Sequence, residues 1–121
     1  MATGRPNIVV FQGVFHGRTV AAATLTTAGT RFAAGFSPLM GGVHMAPFPY
    51  AYRYGWDLDT TIDFCLQELD YLFATRTAPA DTAAFLIEPV LGDGGYLPTP
   101  PRFLQGLRER ADGHGILLVI D

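Results

Sequence analysis

Short, continuously apolar runs recur along this chain, each with proline or glycine within two residues of one end. They are NIVVF at Asn7–Phe11, AAFLI at residues 83–87 and ILLVI at residues 116–120. Runs of this length and composition predict buried β-strands. A weaker strand is expected at residues 43–46, where the apolar stretch ends at Pro47.

Helical periodicity separates these runs. One stripe repeats at i, i+3, i+4, i+7, i+10 and i+11, which predicts a helix that begins near Asp57 or Asp59 as its cap. A second helix is expected after Thr99, with Pro100 at its first helical position and Gly113 as its C-terminal stop. The apolar stripe of the first helix comprises Ile62, Cys65, Leu66, Leu69, Leu72 and Phe73.

The remaining segments have weaker patterns. The alanine-rich residues 19–27 predict a short helix, although their threonines favour it little. Residues 28–42 are expected to be irregular because of their glycines and a proline. Residues 47–56 alternate aromatic residues with proline and small residues, so they predict a loop that either lines a substrate entrance or packs on the domain.

Strands that alternate with amphipathic helices predict an α/β fold with a mostly parallel sheet and helices on both faces. Ligands of such sheets bind at the carboxyl ends of the strands. Residues 13–19, residues 88–95 and Asp121 follow the predicted strands. The chemistry of this chain is therefore expected among these residues.

Composition excludes several classes of protein. The chain has 121 residues, the size of one domain, and its 49% hydrophobic and 16% charged residues exclude a disordered tail. A net charge of −3 gives no sign of a nucleic-acid partner. The apolar runs are too short to span a membrane, and no export signal precedes them. The single cysteine, Cys65, favours a reducing compartment and a cytoplasmic location.

Every basic residue of the chain is an arginine, and there is no lysine. Any mechanism that needs a lysine amine is therefore closed to this chain acting alone. His16, His44 and His114 lie too far apart in sequence to predict a zinc site, and no metal is expected. The chain also lacks the phosphate-binding glycine motifs, so a flavodoxin-like ligand-binding domain is not favoured.

Two carboxylates follow predicted strands. Asp121 directly follows the last apolar run, where it is placed to pair with a protonated ring nitrogen, a metal or an arginine; the alternative is that it caps a loop or helix. Glu88 follows the run at residues 83–87, and its alternative is a simple exit toward solvent. If both are functional, they flank one crevice, and the GDGGY loop at residues 92–96 lets backbone approach a ligand closely.

The segment FHGRT at residues 15–19 carries three further candidates. Phe15 offers a face for stacking on a planar ring, and Arg18 offers a two-pronged donor for a carboxylate. His16 is either an acid–base group or, as loop histidines more often are, a structural hydrogen-bonding residue.

Three stretches together resemble the class III, pyridoxal-phosphate-dependent aminotransferases, the group of the 4-aminobutyrate, acetylornithine and ornithine transaminases. The stretches are FQGVFHGRT, GGVHMAPFPYAYR and AAFLIEPVLGDGGYLPTPPRFLQGLRERADGHGILLVID. The resemblance spans essentially the whole chain. It implies that residues 1–121 are a partial cofactor-binding large domain of a fold-type I enzyme, truncated at both ends.

The resemblance also assigns roles to residues. It implies that Phe15 stacks on the ring of pyridoxal 5'-phosphate with His16 beside it, and that Arg18 grips a substrate carboxylate. It implies that Glu88 lines the cofactor pocket and that Asp121 pairs with the pyridine nitrogen. A carboxylate there keeps that nitrogen protonated, which lets the cofactor act as an electron sink.

The same resemblance sets expectations for the whole enzyme. It implies transfer of an amino group from an amino acid or ω-amino acid to a 2-oxo acid by a homodimer. Asp93 matches an acidic position that is usually glutamate and that pairs with an arginine in some members. Because the family's cofactor-binding lysine is missing, the chain alone is expected to be inactive. The alternative is a non-enzymatic α/β fragment or interaction module derived from a transaminase.

Overall fold

Four parallel strands form the main sheet and confirm the predicted α/β fold. In this computed structural model, which describes residues 2–121, the strand order is β2-β1-β3-β6. A short antiparallel pair, β4 and β5, follows β3 and was not predicted from the sequence. The strands are β1 (Asn7–Phe11), β2 (Val43–Ala46), β3 (Thr82–Ile87), β4 (Val90–Leu91), β5 (Leu97–Pro98) and β6 (Leu117–Ile120).

Four α-helices connect or flank the strands. They are α1 (Val20–Leu25), α2 (Ala51–Tyr54), α3 (Leu58–Thr75) and α4 (Pro101–His114), and single 3₁₀ turns lie at Thr30–Phe32 and Pro79–Asp81. None of the helices described within residues 2–121 has both the length and the apolarity needed to cross a lipid bilayer.

Helix α3 begins where the sequence pattern predicts. Asp57 is its N-cap: its Oδ1 accepts from the backbone amide of Thr60 at 2.9 Å, and its Oδ2 accepts from the Thr60 hydroxyl at 2.6 Å. These two hydrogen bonds to the ionised carboxylate lower the pKa of Asp57. The predicted stripe is confirmed as the core-facing side of α3, because Ile62, Cys65 and Leu69 are buried.

One segment predicted as a loop packs on the domain but contains a short helix, and one predicted helix end is wrong. Residues 47–56 contain the single-turn helix α2 and pack on α3: the rings of Tyr54 and Trp56 stack on each other and each contacts Phe64. Helix α4 continues through Gly113 and ends at Gly115, which has a left-handed φ of 64°. The backbone amides of Gly115 and Ile116 cap this end on the carbonyl of Ala111, and the distant Arg5 donates to the carbonyl oxygens of His114 and Gly115 at 3.1 and 3.0 Å.

The core lies between one face of the sheet and helices α3 and α4. Phe11 on β1 makes edge-to-face contacts with Phe85 on β3 and with Phe103 on α4, and Phe73 on α3 packs against Phe85. Helix α1 lies beside the opposite face, where a cavity of about 160 Å³ is lined by Ile8, Leu25 and Val43 among others. Helices therefore lie on both faces, as predicted.

The last strand is less buried than its sequence predicts. Leu117, Val119 and Ile120 on β6 are 48, 41 and 50% exposed, and only the preceding Ile116 is buried. The reason is position: β6 is the outer strand of the sheet and pairs only with β3 within residues 2–121. A continuously apolar run thus identified a strand but not its place in the sheet.

Cys65 is fully buried on α3, as its place on the apolar stripe predicts. Burial raises the pKa of its thiol to about 12, because the thiolate is poorly solvated there. We expect iodoacetamide at pH 8 to leave Cys65 unmodified in the native protein and to modify it fully in denaturant, as measured by peptide mapping. Rapid modification of the native protein would contradict this packing.

Candidate active site

The loop after β1, residues 12–19, lies at the carboxyl edge of the sheet and is held by side chains rather than by a ladder of backbone bonds. Three consecutive amides each donate to a side-chain oxygen from a different residue. Val14 N donates to Thr27 Oγ1 at 3.2 Å, Phe15 N to Glu88 Oε2 at 2.8 Å, and His16 N to Thr26 Oγ1 at 2.9 Å.

His16 and Asp121 are joined directly, although 105 positions separate them. The distance from His16 Nδ1 to Asp121 Oδ2 is 2.7 Å, and because a carboxylate accepts, the imidazole donates from Nδ1. The backbone amide of Asp121 donates to the carbonyl of Ile87 at 3.0 Å, which continues the β3–β6 pairing to this position. The loop after β1 and the residue after β6 therefore meet at the carboxyl edge of the sheet.

The two side chains of this pair differ in exposure. The imidazole of His16 is 2% exposed, whereas the carboxylate of Asp121 is 55% exposed. Within residues 2–121, Nε2 of His16 is buried without a hydrogen-bond partner. The pair thus combines a buried donor that fixes one carboxylate oxygen with a carboxylate that still faces the open edge of the sheet.

Glu88 turns toward the loop after β1 instead of leaving toward solvent. Its Oε2 accepts from the Phe15 amide at 2.8 Å, and its Oε1 accepts from the Gly92 amide at 3.3 Å. Its carbonyl oxygen accepts from the hydroxyl of Thr99 at 2.7 Å. Glu88 therefore ties the loop that carries Phe15 to the loop that follows β3.

The GDGGY loop packs tightly against the loop after β1. A Cβ on Gly94 would lie 2.3 Å from the carbonyl oxygen of Gly13, closer than any side chain tolerates. Gly13 itself has a φ of +86°, in the left-handed region. The predicted close backbone approach exists, but it is made to the protein's own loop.

Phe32 packs beside Phe15 at the candidate site and is not singled out by any sequence motif. Its ring centroid lies 4.8 Å from that of Phe15. The guanidinium carbons of Arg31 and Arg18 lie 4.5 and 5.5 Å from the Phe32 centroid. Phe32 belongs to an irregular segment without periodicity, so no pattern signalled its role.

Arg18 lies apart from the two carboxylates. It is exposed and, with Arg31, Phe32 and Phe36, lines a cavity of about 360 Å³. No hydrogen bond or ion pair joins Arg18 to an acidic residue in the part of the chain that the structure describes. Asp93 instead pairs with Arg31 at 3.7 Å, an exposed and therefore weak ion pair.

The arrangement defines a class of protein. A parallel α/β sheet carries a carboxylate directly after its last strand, and a buried histidine from the loop after β1 donates to that carboxylate. A mostly parallel α/β sheet is what the resemblance implied for the large domain of a pyridoxal-phosphate enzyme. Residues 1–121 match the family model described as aminotransferase class III, so the chain belongs to that family.

Individual relatives agree with this assignment. The chain is 40% identical over 120 residues to 2-aminoadipate transaminase of Pseudomonas putida and 35% identical to 4-aminobutyrate aminotransferase GabT of Escherichia coli (strain K12), covering 99% of this chain in both cases. It superposes with a TM-score of 0.89 and 30% identity on taurine:2-oxoglutarate aminotransferase of Bifidobacterium kashiwanohense, solved with pyridoxal phosphate and glutamate.

The matched region is a minor part of those proteins. The chain covers 28% of the Pseudomonas putida relative, 27% of GabT and 28% of the solved structure. The family and the cofactor-bound structure identify pyridoxal phosphate as the cofactor that goes with this fold.

Proposed function

We propose that these 121 residues form part of the cofactor-binding large domain of a transaminase that moves an amino group from an amino acid or ω-amino acid to a 2-oxo acid. Membership of the class III family supports the reaction. The single observation that carries the site is the 2.7 Å hydrogen bond between His16 and Asp121 at the carboxyl edge of the sheet. The proposed roles fall to five residues: Phe15, His16, Arg18, Glu88 and Asp121.

The residues fit pyridoxal phosphate. When bound, the cofactor supplies a protonated ring that accepts the electrons released as a substrate proton leaves. Asp121 has the correct chemistry to hold the proton on that ring nitrogen, because one oxygen accepts from His16 while the carboxylate remains 55% exposed. His16 fixes the position of the carboxylate by donating to it from Nδ1.

The other residues bind and orient. In this proposal Phe15 presents its ring to the cofactor plane, and the ring of Phe32, whose centroid lies 4.8 Å from that of Phe15, packs against it. Arg18 binds a substrate carboxylate, which is consistent with its exposure and with the absence of an acidic partner for it within residues 2–121. Glu88 lines the pocket while its two oxygens hold backbone amides.

The chain supplies no lysine, so by itself it has no side-chain amine to bind the cofactor covalently or to move the substrate proton. We propose that residues 1–121 are an internal part of a longer large domain, and that the lysine lies outside them. The family resemblance supports a cytoplasmic homodimer that acts on small molecules, with no nucleic-acid or membrane partner.

The test compares the 121-residue chain with the complete gene product that carries it. Each is mixed with pyridoxal phosphate, reduced with borohydride and digested for mass mapping. We expect no reduced cofactor on an internal side chain of the 121 residues. We expect one modified lysine in the complete gene product, together with amino transfer from a panel of amino donors to 2-oxoglutarate.

Two outcomes would count against the proposal. Cofactor trapped on an internal side chain of the 121 residues would refute the inactivity of the chain. A complete gene product without a reactive lysine would favour the alternative, a non-enzymatic fragment or interaction module derived from a transaminase.

A further inference from the structure

Thr26 and Thr27 end α1 and lie beside the loop that carries Phe15 and His16. The hydroxyl of Thr27 donates to the carbonyl of Phe11 at 2.6 Å and accepts from the amide of Val14 at 3.2 Å. This one side chain therefore ties the last residue of β1 to the middle of the loop. The backbone amide of Thr27 adds a third hydrogen bond, to the carbonyl of Val14 at 2.8 Å.

The hydroxyl of Thr26 holds the next part of the same loop. It accepts from the amide of His16 at 2.9 Å and lies within hydrogen-bond distance of the carbonyls of Ala22, at 3.0 Å, and Gly17, at 3.2 Å. Thr26 is 8% exposed, so water does not readily replace these bonds. The amides of Val14 and His16, on both sides of Phe15, thus donate to threonine hydroxyls, and the Phe15 amide itself donates to Glu88.

The orientation of the functional side chains depends on these bonds. An imidazole or phenyl ring is joined to the backbone by only two rotatable bonds, so its position follows the φ and ψ of its own residue. The 2.7 Å contact between His16 and Asp121 therefore requires the backbone at His16 to be fixed. The amide of Gln12 donates to Ala46, and beyond Gln12 no strand within residues 2–121 pairs with the loop and fixes its backbone.

We propose that Thr26 and Thr27 are positioning residues, whose hydroxyls set the backbone of residues 14–16 and thereby aim the ring of Phe15 and the imidazole of His16. That Phe15 and His16 face a cofactor is part of the proposed function, and in this respect the present proposal rests on it. It concerns the hydroxyl groups and not the methyl groups of the two threonines.

The experiment uses the complete gene product without cofactor and follows hydrogen–deuterium exchange of peptides that cover residues 12–18. In Thr26→Val the hydroxyl is replaced by a methyl group of similar size, and in Thr26→Ser the hydroxyl is kept. The matched control is Thr75→Val at the end of α3, because Thr75 also donates to the carbonyl four residues earlier but touches no part of the loop.

We expect Thr26→Val to raise exchange in this peptide by about tenfold or more, because opening the loop then breaks fewer bonds. Thr26→Ser and Thr75→Val are expected to stay within about twofold of the unaltered protein. The ring nitrogens of His16 give a second signature: their ¹⁵N shifts report the Nδ1 donor, which we expect to be lost in Thr26→Val alone.

Several results would overturn the proposal. One is unchanged exchange and unchanged ring shifts in Thr26→Val, and another is an equal rise in Thr75→Val, which would indicate general destabilisation. If Thr26→Val does not fold, the double variant Thr26→Ser with Thr27→Ser decides: it keeps both hydroxyls and removes both methyls, so it must retain the protection. Loss of protection there would assign the effect to the methyl groups.

The effect on the bound cofactor is measured in a separate experiment. Visible circular dichroism per bound cofactor reports how asymmetrically the ring is held, and we expect it to fall in Thr26→Val and to be kept in Thr26→Ser. Unchanged dichroism in Thr26→Val would contradict the aiming of Phe15. If the unaltered gene product binds no pyridoxal phosphate, the proposed function fails, while the exchange measurement still decides the role of the threonines.

Discussion

Replacing Asp121 with asparagine is expected to lower the turnover number of the complete gene product by about 100- to 1000-fold, the range typical for loss of one preorganised electrostatic contact. Asparagine is nearly isosteric, and its side-chain oxygen still accepts from Nδ1 of His16, which lies 2.7 Å from the carboxylate. The geometry of the pair is therefore kept, and only the negative charge that we propose to hold the proton on the ring nitrogen is removed.

The measurement is steady-state amino transfer, together with the dissociation constant of pyridoxal phosphate. Asp112→Asn is the matched control, because Asp112 is an exposed acid in an i,i+4 pair with Arg108 on α4. We expect the control to retain full turnover. An Asp121→Asn enzyme with normal turnover, or a control with the same loss, would remove Asp121 from its proposed role.

The parts of the fold that were predictable are those with a local signal. The strand runs and the stripe on α3 are set by hydrophobic periodicity within a few residues, and the structure confirms both. The Asp57 cap is equally local, since its partner Thr60 is three residues away. Such features depend on no distant part of the chain.

The features that were missed depend on distant contacts. Gly113 and Gly115 both suit a helix end, and the hydrogen bond from Arg5 to the carbonyl of Gly115, which favours the second, joins residues more than a hundred positions apart. The apolar composition of β6 does not reveal that it is an outer strand of the sheet. Periodicity identifies an element, whereas its neighbours decide where the element ends and which side is covered.

The residues of the candidate site also fall into those that a local signal identified and those that depend on distant contacts. Phe15, Asp121 and Glu88 were identified from motifs that follow strands, and the structure brings their segments together. The supporting residues Thr26 and Phe32 belong to segments whose composition is typical of a helix end and an irregular loop. Sequence motifs therefore pointed to the residues that we propose to face the ligand, while the residues that contact their loop became visible only in the structure.

Replacing Gly94 with alanine is expected to destabilise the protein by about 1–3 kcal/mol, the usual cost of overpacking. The added Cβ would lie 2.3 Å from the carbonyl oxygen of Gly13, which is backbone and cannot rotate away. One of the two loops must therefore move, and the contact that Glu88 makes with Phe15 joins those same loops. We expect a lower thermal midpoint and weaker binding of pyridoxal phosphate together.

The chain offers a matched glycine for this test. A Cβ on Gly113 meets no atom within 4 Å, and the residue lies inside α4, so Gly113→Ala is expected to stabilise the protein by about 0.5–1 kcal/mol through helix propensity. Glycine-to-alanine substitution is thus expected to lower the thermal midpoint at one position and to raise it at the other, in one calorimetric experiment. Equal midpoints for the two variants would mean that the approach of the GDGGY loop to Gly13 does not constrain the site.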